Sequence, residues 1–116
     1  AVCHGPAALT SVKLTDGEYL VKDKKVNSFT DEEERAVGKE DIVPFLLETR
    51  LRERGAHFEG GSNFSEKVVA DGRLITGQNP QSASALGREI VKRWNQLELS
   101  SGRQSDTDSL HWVVQT

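Results

Sequence analysis

At 116 residues the chain has room for one small domain, and its 35% hydrophobic and 28% charged residues suit a modest core with a solvated surface. No apolar run approaches the ~20 residues that a membrane helix needs, so no membrane partner is expected. A formal charge of −3 argues against nucleic acid, which calls for a basic face, and a single cysteine cannot close an internal disulfide and fits a reducing compartment, the cytoplasm.

The chain opens on Ala1 and Val2, which read as the end of a buried strand. Cys3 follows, then His4, Gly5 and Pro6. Gly5 removes a side chain where a sharp turn crowds the strand, and Pro6 fits a first helical turn, where its missing N–H is not needed. Ala7 and Ala8 let that helix pack closely. The pattern is a strand, a turn carrying a nucleophile and a helix start. A thiol placed there feels the positive end of the helix, which favours thiolate. The His4 N–H can point at the atom the sulfur attacks. The competing reading of a lone cysteine is a small buried hydrophobe.

Thr15-Asp16-Gly17 is a turn signal. Residues 18–21 and 25–28 read as two short strands around Lys22-Asp23-Lys24, a surface hairpin whose lysines (Lys25 included) guard an edge. Thr30 then caps a short helix, with Glu33 at the spacing of a capping box. The strongest helical pattern covers 41–54, with Ile42, Phe45, Leu46 and Leu51 on its apolar side. Pro44 is tolerated only in a first turn, so this helix proper is expected from Val43, and Gly55 is placed to end it. Residues 56–59 read as a strand and 60–63 as a loop.

Residues 67–70 and 73–76 flank Asp71-Gly72 as a hairpin of the two-residue type. Residues 77–80 turn the chain into a last helix over 81–97, capped by Asn79 or Ser82, with Ala85, Leu86, Ile90, Val91 and Trp94 as its apolar stripe. Residues 100–109 have the composition of a linker, and 110–114 are apolar again. His57 and His111 lack ligand-like spacing to another His or Cys, so no metal site is expected.

Val2-Cys3-His4-Gly5-Pro6-Ala7-Ala8-Leu9 resembles the nucleophile elbow of the ThiJ/PfpI superfamily, which has the class I glutamine amidotransferase-like fold. The nearest branch is the glyoxalase-III-like, heat-shock chaperone-like one. Ser28-Phe29-Thr30-Asp31-Glu32-Glu33-Glu34, Val43-Pro44-Phe45-Leu46-Leu47-Glu48 and Asp71-Gly72-Arg73-Leu74-Ile75-Thr76-Gly77-Gln78-Asn79-Pro80 are similar to further blocks of that branch, in the family's order. The resemblance implies an α/β fold: a three-layer sandwich with a mainly parallel, flavodoxin-like sheet. Residues 1–99 would be its C-terminal part, starting at the elbow; 100–116, by composition a flexible tail, departs from the family, which ends near the last long helix. In family members the elbow lies mid-chain. The N-terminal half is therefore expected as a separate chain or as the rest of a longer polypeptide, and residues 1–116 are not expected to form a stable catalytic monomer alone.

The same resemblance implies cofactor-independent glyoxalase chemistry, methylglyoxal to lactate, or a related deglycase or holdase-chaperone activity. Cys3 would attack the aldehyde, and His4 would carry a proton between the two carbons. Glu34 would orient the imidazole, with Glu33 and Glu32 as alternatives. An acidic first helical turn is also favourable by itself, and a turn histidine often bonds only to backbone. A second acid, usual in the superfamily, belongs to the N-terminal half. Asn79, Pro80 and Ser82 match a motif that closes over the active-site end of the sheet and are expected to be structural. The implied partners are a small aldehyde, the N-terminal half and a homodimer mate. Two other classes remain: a non-catalytic stress-response or redox-sensing protein with an oxidisable Cys3, and a glutaminase- or peptidase-like hydrolase on the same elbow.

Overall fold

The computed structural model describes residues 1–101, with side chains through Glu98. His111, the apolar stretch 110–114 and positions 102–116 of the expected tail lie outside the described residues. Two paired segments and three α-helices position the site. β1 (Lys25–Val26) pairs in parallel with β2 (His57–Phe58), and β3 (Val68–Asp71) pairs antiparallel with β4 (Leu74–Gly77). Between β1 and β2 the chain makes α1 (Asp31–Ala36) and α2 (Leu47–Glu53), a crossover of the kind parallel strands require. The described fold is thus mixed α/β with parallel strands.

The first residues run alongside β4. Val2 makes a parallel bridge to Gly77, with Gly77 N–H donating to Ala1 O and Cys3 N–H donating to Gly77 O, both at 2.9 Å. The element after the elbow is a 3-10 helix, Gly5–Leu9, with Pro6 in its first turn. Five residues of 3-10 geometry carry little of the macrodipole expected from an α-helix there. The crowding expected at Gly5 is found instead at Gly77. A Cβ on Gly77 would meet Val2 Cγ2 at 3.1 Å and Ser82 Cβ at 3.2 Å, whereas one on Gly5 would meet only Ala1 Cβ at 3.4 Å.

The hairpin expected over 18–21 and 25–28 does not form. Residues 12–20 fold back on themselves instead, with Lys13 bridging Tyr19 across Thr15-Asp16-Gly17. The Asp23 N–H bonds to Gly55 O, which leads the chain past the end of α2 and sets Lys25 against His57. Val21 and Val26 are both fully buried, and burial of both valines against Leu47 and Leu51 outweighs a local pairing that would expose one face.

The capping box on α1 forms as its spacing requires: Glu33 N–H donates to Thr30 Oγ1 at 3.0 Å and Thr30 N–H to Glu33 Oε1 at 2.9 Å. α2 is shorter than the pattern over 41–54. Pro44 biases Val43 away from helical geometry, and the helix begins only at Leu47, leaving Ile42 70% exposed. Leu47 and Leu51, one turn apart, supply the buried face. Gly55, at φ 88°, ends the helix in the left-handed conformation that favours glycine.

In the β3–β4 hairpin Asp71 pairs with Leu74, so the two-residue loop is Gly72-Arg73, one position later than expected, with Gly72 at φ 61°. A second 3-10 helix, Pro80–Ser82, leads into α3 (Ala83–Ser101). Neither expected cap bonds α3 backbone through its side chain: Ser82 Oγ donates to Asn79 Oδ1 at 2.7 Å and accepts from Lys67 N–H. Leu86 is buried, but Val91 is 58% exposed, so the apolar stripe of this helix is only partly covered. No described helix is long and apolar enough to cross a membrane.

Candidate active site

Cys3 sits at φ 59°, in the left-handed region that a residue with a Cβ seldom enters. Such a conformation costs about 1–3 kcal/mol and persists only where the surroundings hold it. Here Cys3 N–H donates to Gly77 O, Phe29 N–H donates to Cys3 O at 2.9 Å, and Gly5 N–H closes on Val2 O at 2.8 Å. The elbow is thereby fixed to β4 on one side and to the 27–30 segment on the other.

The turn does not separate the side chains of Cys3 and His4. Cys3 Sγ lies 3.4 Å from His4 Nδ1, and His4 Nε2 lies 2.7 Å from Glu34 Oε2. An ionised carboxylate can only accept, so Nε2 is the donor to Glu34, and in the neutral form of the ring Nδ1 then presents its lone pair to the thiol. The His4 side chain is half exposed, while that of Glu34 is 4% exposed. Phe29 packs on the His4 ring at 4.7 Å between centroids.

Helix geometry separates the three candidate acids. Consecutive helical residues point about 100° apart. Glu32 is exposed and accepts from Asn63 Nδ2 at 3.3 Å. Glu33 is fully buried and turns toward Thr30, Phe64 and Asn79. Glu34 is the one that meets His4. Its second oxygen, Oε1, is buried without a donor among the described residues.

Burial pushes the Cys3 thiol above its ordinary value; the His4 backbone N–H on the sulfur acts downward, and the Glu33 and Glu34 carboxylates act upward. This reverses the expectation of a thiolate favoured by a helix end, because the sulfur is partly buried, the 3-10 turn is short and two carboxylates lie close. A thiol pushed up in this way favours its protonated form, and His4 Nδ1 lies 3.4 Å from it. For Glu33 burial pushes the carboxyl up, but hydrogen bonds from Asn79, Thr30, Phe64 and Gln78 outweigh it and hold the group below the usual carboxylate value.

Several residues at the site have no sequence signature of chemistry. Phe29 enters only as part of a resembling block, and nothing in the sequence singles out Phe64. Gln78 is fully buried and holds the glycine loop by accepting from Gly61 N–H at 2.7 Å and donating to Gly61 O and Ser62 O. Asn79 donates to Glu33 Oε2 at 2.9 Å and to Ser65 O at 2.8 Å. His57 is exposed near Asp23, and no group of potential metal ligands occurs among the described residues.

No family model matches the chain. Curated proteins do. Glyoxalase 3 of Candida albicans is 34% identical over 97 residues, 78% of this chain and 41% of that protein. A glutathione-independent glyoxalase of Schizosaccharomyces pombe is 34% identical over 100 residues, 79% of this chain and 41% of that protein. One of Saccharomyces cerevisiae is 35% identical over 91 residues, 72% and 38% of the two chains. Among solved structures, the rapid encystment protein of Francisella tularensis is 44% identical with a TM-score of 0.76, over 78% of this chain and 40% of that one. Glyoxalase III of Candida albicans is 35% identical with a TM-score of 0.73, over 79% and 41%. The chain spans about two fifths of the length of the curated relatives it matches.

Proposed function

Because the chain belongs with the glyoxalase-III-like branch of the ThiJ/PfpI superfamily and matches the C-terminal part of its members, we propose that it carries the nucleophile and proton relay of an enzyme converting methylglyoxal to lactate without glutathione. The observation that supports this most is the line from Cys3 Sγ through His4 to Glu34, with contacts of 3.4 and 2.7 Å. A small aldehyde is the substrate class, and residues 1–99 are the C-terminal part of the domain.

The chemistry needs only these groups and water. His4 Nδ1 takes the Cys3 proton as sulfur bonds to the aldehyde carbon, and the proton passes to the aldehyde oxygen, giving a hemithioacetal. His4 then removes the proton from that carbon; the neighbouring carbonyl oxygen is protonated and an enediol forms. Reprotonation at the second carbon yields the thioester of lactate, and water releases lactate and the free thiol. One carbon is oxidised and its neighbour reduced, so no outside oxidant is required. Glu34 holds the imidazole and stabilises it when charged.

In this reading a second acid and further oxyanion contacts come from an N-terminal half outside residues 1–116. The parallel β1–β2 pair and the Val2–Gly77 bridge belong, in this reading, to a larger three-layer sandwich with a mainly parallel sheet. We place the enzyme in the cytoplasm. The test is product analysis with the intact protein: methylglyoxal without glutathione should give lactate, and Cys3→Ala should abolish it. Cleavage in a glutamine and peptide panel, with no lactate, would favour the hydrolase class instead.

A further inference from the structure

We infer that Glu33 is a positioning residue for His4, acting through Phe64 and Phe29; the inference rests on the relay assigned above. Glu33 is fully buried, and neither of its oxygens touches His4. Oε1 serves the capping box through Thr30 N–H at 2.9 Å. A capping box needs no more than that oxygen. Oε2 is committed elsewhere: it accepts Phe64 N–H at 2.7 Å and Asn79 Nδ2 at 2.9 Å.

Phe64 lies at φ 54°, where an aromatic residue stays only if its backbone is held. The bond to Glu33 holds it. The Phe64 ring then meets Phe29 at 6.0 Å between centroids, and Phe29 meets His4 at 4.7 Å. Phe29 is itself tied to Cys3 O through its N–H. One buried carboxylate therefore fixes both the first turn of α1, which carries Glu34, and the rings packed against the imidazole. Asn79 is fixed in turn by Ser65 O and by the Ser82 hydroxyl, so the donor facing Oε2 has little freedom.

The test uses the intact protein and methylglyoxal kinetics. Glu33→Gln leaves an oxygen for Thr30 N–H but sets an amide NH2 against Phe64 N–H and Asn79 Nδ2, donor facing donor. Misplacing a reacting group by an ångström can cost a hundredfold, so kcat should fall about tenfold or more while KM holds. Phe64→Leu should give a similar fall. The two changes should be coupled: Glu33→Gln should cost far less in the Phe64→Leu background. Wild-type kcat in either single variant, or independent losses that simply multiply, would overturn the inference. Phe64 is 38% exposed, so its variant stays readable even where Glu33→Gln does not fold. Cys3→Ala is run alongside. Turnover that survives Cys3→Ala sinks the relay itself, whereas loss there with full kcat in Glu33→Gln sinks only the role of Glu33.

Discussion

Glu34→Gln removes one negative charge from a side chain that is 4% exposed and 2.7 Å from His4 Nε2, and it keeps the shape. In the proposed relay a neutral imidazole donates to the carboxylate before it takes the proton. Once it holds the Cys3 proton it is a cation, and the contact becomes an ion pair. A hydrogen bond to a charged group contributes ~1.5–3 kcal/mol, about twice a neutral one, so the change from carboxylate to amide withdraws roughly 1–2 kcal/mol at the charged stage. That corresponds to a loss in kcat of about five- to thirtyfold. The Gln amide can also turn its NH2 toward Nε2, which selects the tautomer protonated on Nδ1 and leaves the thiol no acceptor, so the loss runs above this floor. Folding should change little. The His4 side chain is half exposed, which screens the pair, and Glu34 Oε1 is buried without a donor among the described residues, so the charge there carries its own desolvation cost. The assay is steady-state methylglyoxal turnover with thermal melts of the same intact protein. A kcat within twofold of wild type, or a Tm drop that accounts for the lost turnover, would refute the reasoning.

Alkylation of Cys3 by iodoacetamide should be slow in mild acid and rise with pH to an inflection above that of a free cysteine, because burial raises the thiol; an inflection below that reference counts against it. Glu33, held below the 4.5 of a free carboxyl, contributes stability that is complete above that value and is lost as pH falls through the folded-state pKa. Urea midpoints across the acid range should therefore show a steeper acid limb in wild type than in Glu33→Gln, and equal limbs would contradict this. Thr30→Ala breaks the capping box and should destabilise by about 1 kcal/mol, read as a lower urea midpoint at unchanged slope; an unchanged midpoint would mean that α1 is held by packing alone.

Local chemistry made part of the site legible in the sequence. The Thr30 and Glu33 spacing forms its capping box, and that box sets the rotation of α1 so that Glu34 faces the elbow. Gly55 ends α2 because only a left-handed residue fits there. What was not legible depends on distant partners. β1 pairs with His57 and Phe58, more than thirty positions along the chain, and no local pattern announces a parallel partner. The start of α2 turned on Pro44, whose bias falls on the residue before it as well as on its own N–H. The Cys3 thiol follows the summed effect of burial and two carboxylates, which exists only once α1 is docked beside the elbow. Nothing in the sequence singles out Phe64; its backbone angle, its bond to Glu33 and its contact with Phe29 appear only in the fold.

Glu34 bonds to His4 and not to the thiol, and its direct effect on Cys3 is to raise it, so in a relay it assists the chemistry only through the imidazole. The direct measurement is kcat for His4→Ala, Glu34→Gln and the double variant in the intact protein. A relay predicts that the double variant turns over no more slowly than His4→Ala alone. A further drop by the full Glu34→Gln factor would contradict it.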